Sequence, residues 1–335
     1  MYKSRLSAYR YMSRALLTLL LVVVALLSVA YGLSAGSTGI TPLAVWQSLA
    51  GNADPVLREI VLELRLPRTL AAFGTGASLA LAGAMMQVLL RNPLADPYVL
   101  GTSGGAAVGA LLAIFLGLSA ILINTAALAG ALGSTLLVFV LTQSGTERSP
   151  GRLLLTGVVI AAGWGALITL MLALAPERNL RGMLFWLMGD FSFATNAVAP
   201  LAVAAIATAL GIALAPTLNI LATGDRQAAL LGVAVRPARA GLYLLSSLLT
   251  AVAVTTAGTV GFVGLVIPHL IRLAGSANHR TVMPCSALAG GALVVLSDTL
   301  ARTMIAPRQL PVGAITAMIG VPIFLLLLRK MGAKS

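Results

Sequence analysis

Few side chains in this sequence could do chemistry, and their spacing excludes most of what they could do. His269 and His279 stand ten positions apart without ligand partners beside them, too sparse for a zinc site. Cys285 is the single cysteine, which excludes an internal disulfide and any Cys-based metal cage. No Gly-rich Walker-type phosphate loop is present, so the chain cannot hydrolyse a nucleotide by that route. No catalytic residue, resident metal or cofactor is expected. Of the nine acids, only Asp298 falls inside an expected membrane span. A proton- or sodium-coupled carrier ordinarily buries several carboxylates along its path, so that class ranks second.

What remains is arginine chemistry, turn chemistry and one loop. Arg65 and Arg68 lie in Leu64-Arg65-Leu66-Pro67-Arg68, where Pro67 is expected in the first turn of a helix. At the outer membrane surface they could pair with carboxylates of an external protein, or simply anchor the chain by snorkelling. Asp298 and Arg302 are i,i+4 with the acid first, the stabilising order, and Arg302 is expected level with Arg65 and Arg68. Gln87 precedes Arg91-Asn92-Pro93-Leu94-Ala95-Asp96-Pro97, in which Asn92, Pro93 and Pro97 predict a tight inner turn. Gly261, Gly264, Pro268 and His269 form a second cluster, and Pro311 and Gly313 open the last apolar run. In residues 218–238, Asp225 after Gly224 can cap a short helix that Gly232 terminates. Ala228 and Leu231 would supply its apolar contacts. This segment is either a docking element for a partner that supplies energy or an ordinary amphipathic connector.

The elements that must position these residues follow from the patterning. The 335 residues are 59% apolar and 9% charged, too few polar atoms to cover a globule in water. Charge-free runs occupy residues 15–53, 69–90, 97–146, 153–176, 191–224, 240–271, 281–297 and 309–328. At about 20 residues per crossing, they accommodate about ten helices in one all-α membrane domain covering residues 1–335. The run 97–146 holds two helices with a turn near Gly117–Ser119. The run 240–271 breaks at Gly258–Gly261 into a full helix and a short one, acceptable at membrane depth only where protein or a cavity surrounds it. The first run is read as a retained helix rather than a cleaved signal.

The net charge of +13 comes from Lys and Arg scattered singly between apolar runs, which excludes nucleic acid as a partner and leaves lipid. With both ends inside, Arg58, Arg65, Arg68, Arg178, Arg181, Arg302 and Arg308 fall outside. The other 15 of the 22 basic residues, among them Lys3, Arg5, Arg10, Arg148 and Lys334, fall inside. That bias predicts N-in and C-in.

Taken in order, Leu-Arg-Leu-Pro-Arg (64–68), Arg-Asn-Pro-Leu-Ala-Asp-Pro (91–97), Gly224–Val233, Gly-Phe-Val-Gly-Leu (261–265) with Pro268-His269, and Leu-Pro-Val-Gly (310–313) resemble the FecCD-type permeases. These are the membrane subunits of ABC importers for iron-siderophores, haem and cobalamin, and the resemblance runs from about Arg65 to Lys330. It implies a ten-helix subunit in a bacterial inner membrane, paired with a second permease subunit, in the first instance a copy of itself. It also implies two cytoplasmic ABC ATPase subunits and a periplasmic substrate-binding protein. Arg65, Arg68 and Arg302 match the family's docking arginines. Gly224, Asp225, Ala228, Leu231 and Gly232 match its ATPase-coupling segment. The sequence departs from the family pattern at Gln309 and Asn278, where an acid is usual, and at Cys285. A ferric siderophore is the first expectation for the cargo, with cobalamin or haem as the alternative.

Overall fold

The computed structural model describes residues 13–36, 39–143, 150–192, 194 and 196–332. Lys3, Arg5, Arg10, Arg148 and Lys334, which entered the charge count, lie outside the described residues. Described residues in regular structure are helical. In chain order the helices are α1 (Arg14–Ser34), α2 (Pro42–Leu49), α3 (Pro55–Glu59), a π segment (Ile60–Arg65) and α4 (Leu66–Leu89). A 3-10 turn (Pro97–Leu100) leads to α5 (Thr102–Phe115), α6 (Ala120–Gln143), α7 (Pro150–Leu174) and α8 (Glu177–Met188). Then come α9 (Val198–Ala213), α10 (Ala215–Leu221), α11 (Asp225–Leu230) and α12 (Val235–Ala257), followed by α13 (Val263–Ala274), α14 (His279–Thr303) and α15 (Val312–Gly332).

Among the described residues, seven helices are long and apolar enough to cross a membrane, or eight when the pair α9 and α10, bent by 68°, counts as one span. Of the shorter apolar helices, α13 stands where a short span was expected, whereas α5 is shorter than the run 97–146 suggested. The expected breaks are present. Helices α5 and α6 are separated around Gly117, and α12 ends at Ala257 before Gly258 (φ 67°) and Phe262 (φ 67°) redirect the chain into α13. Helix α8 and the short α2 and α3 were not anticipated.

Pro67 lies in the first turn of α4, as expected, but α4 does not start from a loop. Helical structure runs without interruption over Pro55–Leu89, and Pro67 sits inside it. A proline there removes one backbone bond and crowds the carbonyl four residues back. The π segment directly ahead, closed by the Leu66 N–H donating to Val61 O, widens the helix at that point.

Helix α4 is the centre of the bundle, packed against α9, α12, α13 and α14. Its apolar window is 89% buried, whereas that of α7, the more hydropathic of the two, is 6% buried. Small residues explain this. A Cβ added at Gly83 would lie 1.9 Å from Gly264 O, and one at Gly76 would lie 2.2 Å from Gly290 O. Backbones approach this closely only where no side chain intervenes, the usual device of helices that pack inside a bilayer.

Candidate functional site

Three polar sites interrupt the apolar bundle. The first is built around Asp298 on α14, which is 1% exposed. Arg68 on α4 grips it side-on, its Nε 3.1 and 3.0 Å from the two carboxylate oxygens and its Nη2 donating at 2.7 Å. Arg302, one turn along α14, places Nε 3.2 Å from Asp298 Oδ2 as an ion pair, in the expected i,i+4 order. Its Nη2 donates to Gly32 O at 3.1 Å. Arg65 Nη1 donates to Leu33 O and Ser34 O, both at 2.8 Å. Gln309 extends the network, with Oε1 accepting from Ser192 Oγ at 2.9 Å and Nε2 donating to Asp190 Oδ1 at 2.7 Å.

The three arginines therefore share one end of the bundle, but they turn inward rather than outward. Arg65 is 6% exposed. The cause is the end of α1: its last carbonyls have no partner within the helix and carry the negative end of its dipole. Gly32, Leu33 and Ser34 thus supply acceptors for Arg65 and Arg302, and Asp298 supplies the counter-charge for Arg68 and Arg302. Arg58, Arg178, Arg181 and Arg308, assigned to the same side by sequence, are exposed.

The second site joins α4 to α13. Pro268 lacks an N–H, so the carbonyl of Gly264, four residues back, loses its helical donor. Gln87 Nε2 faces that carbonyl at 3.4 Å and donates to Leu265 O at 3.1 Å, while Gln87 Oε1 accepts from Arg272. Pro97 packs on Gly264, where an added Cβ would lie 2.7 Å from Pro97 Cδ. The expected turn is present: Asn92 Oδ1 accepts from Leu94 N, Asp96 Oδ1 accepts from Tyr98 N, and Pro93 lies exposed between them. Burial pushes the Asp96 carboxyl up to about 6, against the opposing effect of the Tyr98 bond. Tyr98 Oη donates to Val260 O and accepts from Val260 N, tying this turn to the α12–α13 break beside Gly261. His269 is buried on α13. Pro311 and Gly313 bring the start of α15 against α8, where an added Cβ on Gly313 would lie 2.4 Å from Met188 O.

The third site is the pair α10–α11. Gly224, at φ 121°, caps α11, and Gly232, at φ 83°, follows its end. Asp225 does not cap: it is the first helical residue and makes no side-chain cap bond. Its carboxylate instead accepts from Arg239 on α12 and lies 3.8 Å from Arg91. Arg239 also donates to Leu89 O, a terminal carbonyl of α4, at 2.7 Å. Ala228, expected on the contact face, is fully buried in the chain's own core, because α11 turns it toward the bundle. The exposed large apolar residues are Leu230 at 80% and Leu231 at 66%. Sequence reasoning missed Arg239 and Asn219. The latter joins α10 to the start of α14, where Asn278 caps the helix by accepting from Arg280 N. That role needs only an oxygen, so Asn278 fills it without an acid's charge.

A sequence model of the FecCD transport family matches residues 20–330. This chain belongs to the FecCD transport family. The FecCD chain is 37% identical to HmuU of Yersinia pestis, named a hemin transport system permease protein, over 97% of this chain and 99% of that one. It is 40% identical to BtuC of Citrobacter koseri, a vitamin B12 import system permease protein, over 92% and 93% of the two chains. A solved structure described as an inward-facing conformation of a metal-chelate type ABC transporter superposes on it with TM-score 0.83 at 32% identity, over 93% and 98% of the two. The FecCD chain is a multi-pass protein of the bacterial inner membrane and an ABC importer permease. It works with ATPase and substrate-binding partners, and no catalytic activity of its own is indicated.

Proposed function

We propose that this permease passes an iron(III)-siderophore or similar metal chelate from periplasm to cytoplasm, driven by ATP hydrolysis in separate subunits. The observation that carries the reading is the α10–α11 pair. It sets Leu230, the last residue of a six-residue helix, and Leu231, its C-cap, outward, and the helix is braced from behind by Asp225, Arg239 and the buried Ala228. A short braced helix with an exposed apolar tip suits a contact through which a partner pushes. Residues 218–238, with Gly224, Asp225, Ala228, Leu231 and Gly232, are read as the coupling segment, in which Ala228 supports the fold and Leu231 meets the ATPase.

The assembly is read as two permease copies, two ATPase subunits and one periplasmic binding protein. The bent pair α9–α10 and the short α5 and α13 are each read as one crossing, giving ten spans with both ends inside. Arg65, Arg68 and Arg302 together outnumber the carboxylates of Asp298 and Asp190. Their surplus positive charge would draw acidic residues of the binding protein, and exposed Arg58, Arg178, Arg181 and Arg308 would make first contact. The ion-coupled alternative loses ground here, since Asp298 is committed to two arginines and is poorly placed to shuttle a cation.

Haem or cobalamin is the second reading for the cargo, favoured by the names of the two relatives. The test is uptake into proteoliposomes holding the permease, its ATPase and its binding protein. ATP-dependent accumulation of an iron-55 siderophore is expected; accumulation of cobalamin or haem instead would reassign the cargo. Uptake on a proton or sodium gradient without ATP would overturn the importer reading.

A further inference from the structure

Asn219 on α10 makes three side-chain hydrogen bonds to the first residues of α14. Its Oδ1 accepts from His279 N at 3.0 Å and lies 2.7 Å from His279 Nδ1, while its Nδ2 donates to Asn278 Oδ1 at 3.1 Å. Two backbone donors settle the orientation of both amides. Asn278 Oδ1 already accepts from the Arg280 N–H at 3.0 Å, so Asn219 must offer it an N–H. The other end of the Asn219 amide is then an oxygen, and it meets the fixed N–H of His279. An oxygen that only accepts requires the proton on His279 Nδ1. His279 is 3% exposed, and its Nε2 has no hydrogen-bond partner among the described residues, so nothing draws the ring away from Asn219.

The place of this link in the bundle gives it a mechanical meaning. The bend of 68° separates α10 from α9, and Gly224 at φ 121° separates α10 from α11. The coupling pair is thus jointed at two points, and its motion reaches the bundle through its ties. Asp225 ties α11 to Arg239 of α12 and to Arg91, and Asn219 ties α10 to α14. Helix α14 then runs unbroken from His279 to Asp298, a rise of about 29 Å at 1.5 Å per residue, and ends in the arginine cluster.

We infer that Asn219 is a positioning residue that carries displacement of the coupling pair into α14, and through α14 to the Arg68–Asp298–Arg302 cluster at the far end. The inference rests on the reading of α10–α11 as the ATPase contact.

The test uses the full permease assembled with its ATPase subunits in nanodiscs, in a Cys285→Ala background, with a spin label on Met304→Cys. Met304 caps α14 and is 60% exposed, so it reports the outer end of that helix. ATP with vanadate is the probe. The parent assembly is expected to change the label's mobility on trapping. Asn219→Leu is expected to lose about fivefold or more of that amplitude, the low edge of ordinary coupling strengths, in an assembly that still holds its ATPase subunits. His279→Leu should do the same, and the double variant should be no worse than the worse single. Full amplitude in Asn219→Leu, additive losses in the double variant, or loss of the ATPase subunits on mutation would overturn the inference. A parent assembly with no response to ATP–vanadate would overturn the docking reading itself.

Discussion

The two ends of α14 solve the same problem in opposite ways. At the Asp298 end, one carboxylate and the last carbonyls of α1 hold three arginines, and the groups are almost wholly withdrawn from solvent. At the His279 end, the ties are two amides and an imidazole beside ion pairs that water reaches, since the Asp225 side chain is 39% exposed. A buried charge cluster resists the loss of any member, whereas an exposed pair exchanges partners with water at little cost. The Asp298 end therefore holds its members together as one unit, whereas the ties at the His279 end exchange readily.

Removing the buried counter-charge should break this contrast most sharply. Asp298→Ala strands Arg68 and Arg302 and is expected to cost about 3–5 kcal/mol, seen as a large drop in thermal midpoint in detergent. Replacing Arg68 by Met in the same chain should recover part of the loss. Next in size, Leu231→Asp should weaken capture of the ATPase subunits about tenfold or more, the effect of charging one apolar anchor at a contact centre, with the unfolding midpoint unmoved. Ala228→Asp should instead lower the midpoint, because that residue is buried in this chain's own core. If the two swap effects, the assignment of inner and outer faces of α11 is wrong.

Helices were legible because apolar runs in this sequence end at charges, and the break at Gly258–Gly261 because a 32-residue run fits neither one span nor two. The rank of the helices was hidden. Inside a bilayer, large apolar side chains can face lipid as readily as protein, so the leucine-rich α7 lies outside and the Ala- and Gly-rich α4 fills the centre. The direction of the arginines was hidden for a different reason. Their acceptors are Gly32, Leu33 and Ser34, backbone atoms with no signature in sequence, and Asp298, 230 positions from Arg68. Likewise, Gln87 and Pro268 were marked one by one as motif residues, but nothing in their spacing said that one supplies what the other lacks.

A smaller effect concerns pH at the turn between α4 and α5. Asp96 has a carboxyl raised by burial to about 6, above its unfolded value, so the folded chain holds this proton more tightly than the unfolded one does. Its contribution is fully present below about pH 4 and is lost as pH rises through 6. Asp96→Asn, which keeps the acceptor for Tyr98 N without the charge, should gain stability relative to wild type across that window and hold a constant difference above it. Thermal scans between pH 4 and 8 measure this. Smallest of all, Asp225→Asn should lower stability by no more than about 1 kcal/mol, because its partners are screened by water. A loss as large as that of Asp298→Ala would erase the distinction between the two ends.

The bond between Gln87 and the α13 carbonyls also limits which parts of the molecule can slide. The Gly264 oxygen has no helical donor, and hydrocarbon offers none in its place. Any stroke that drew α13 away from α4 would expose that oxygen and unseat Gly83 from Gly264 in the same motion. The two helices should travel as a single block through every stage of the cycle, like a keel to which the outer ring is hinged. Passage of cargo must then open at a contact other than the one between α4 and α13.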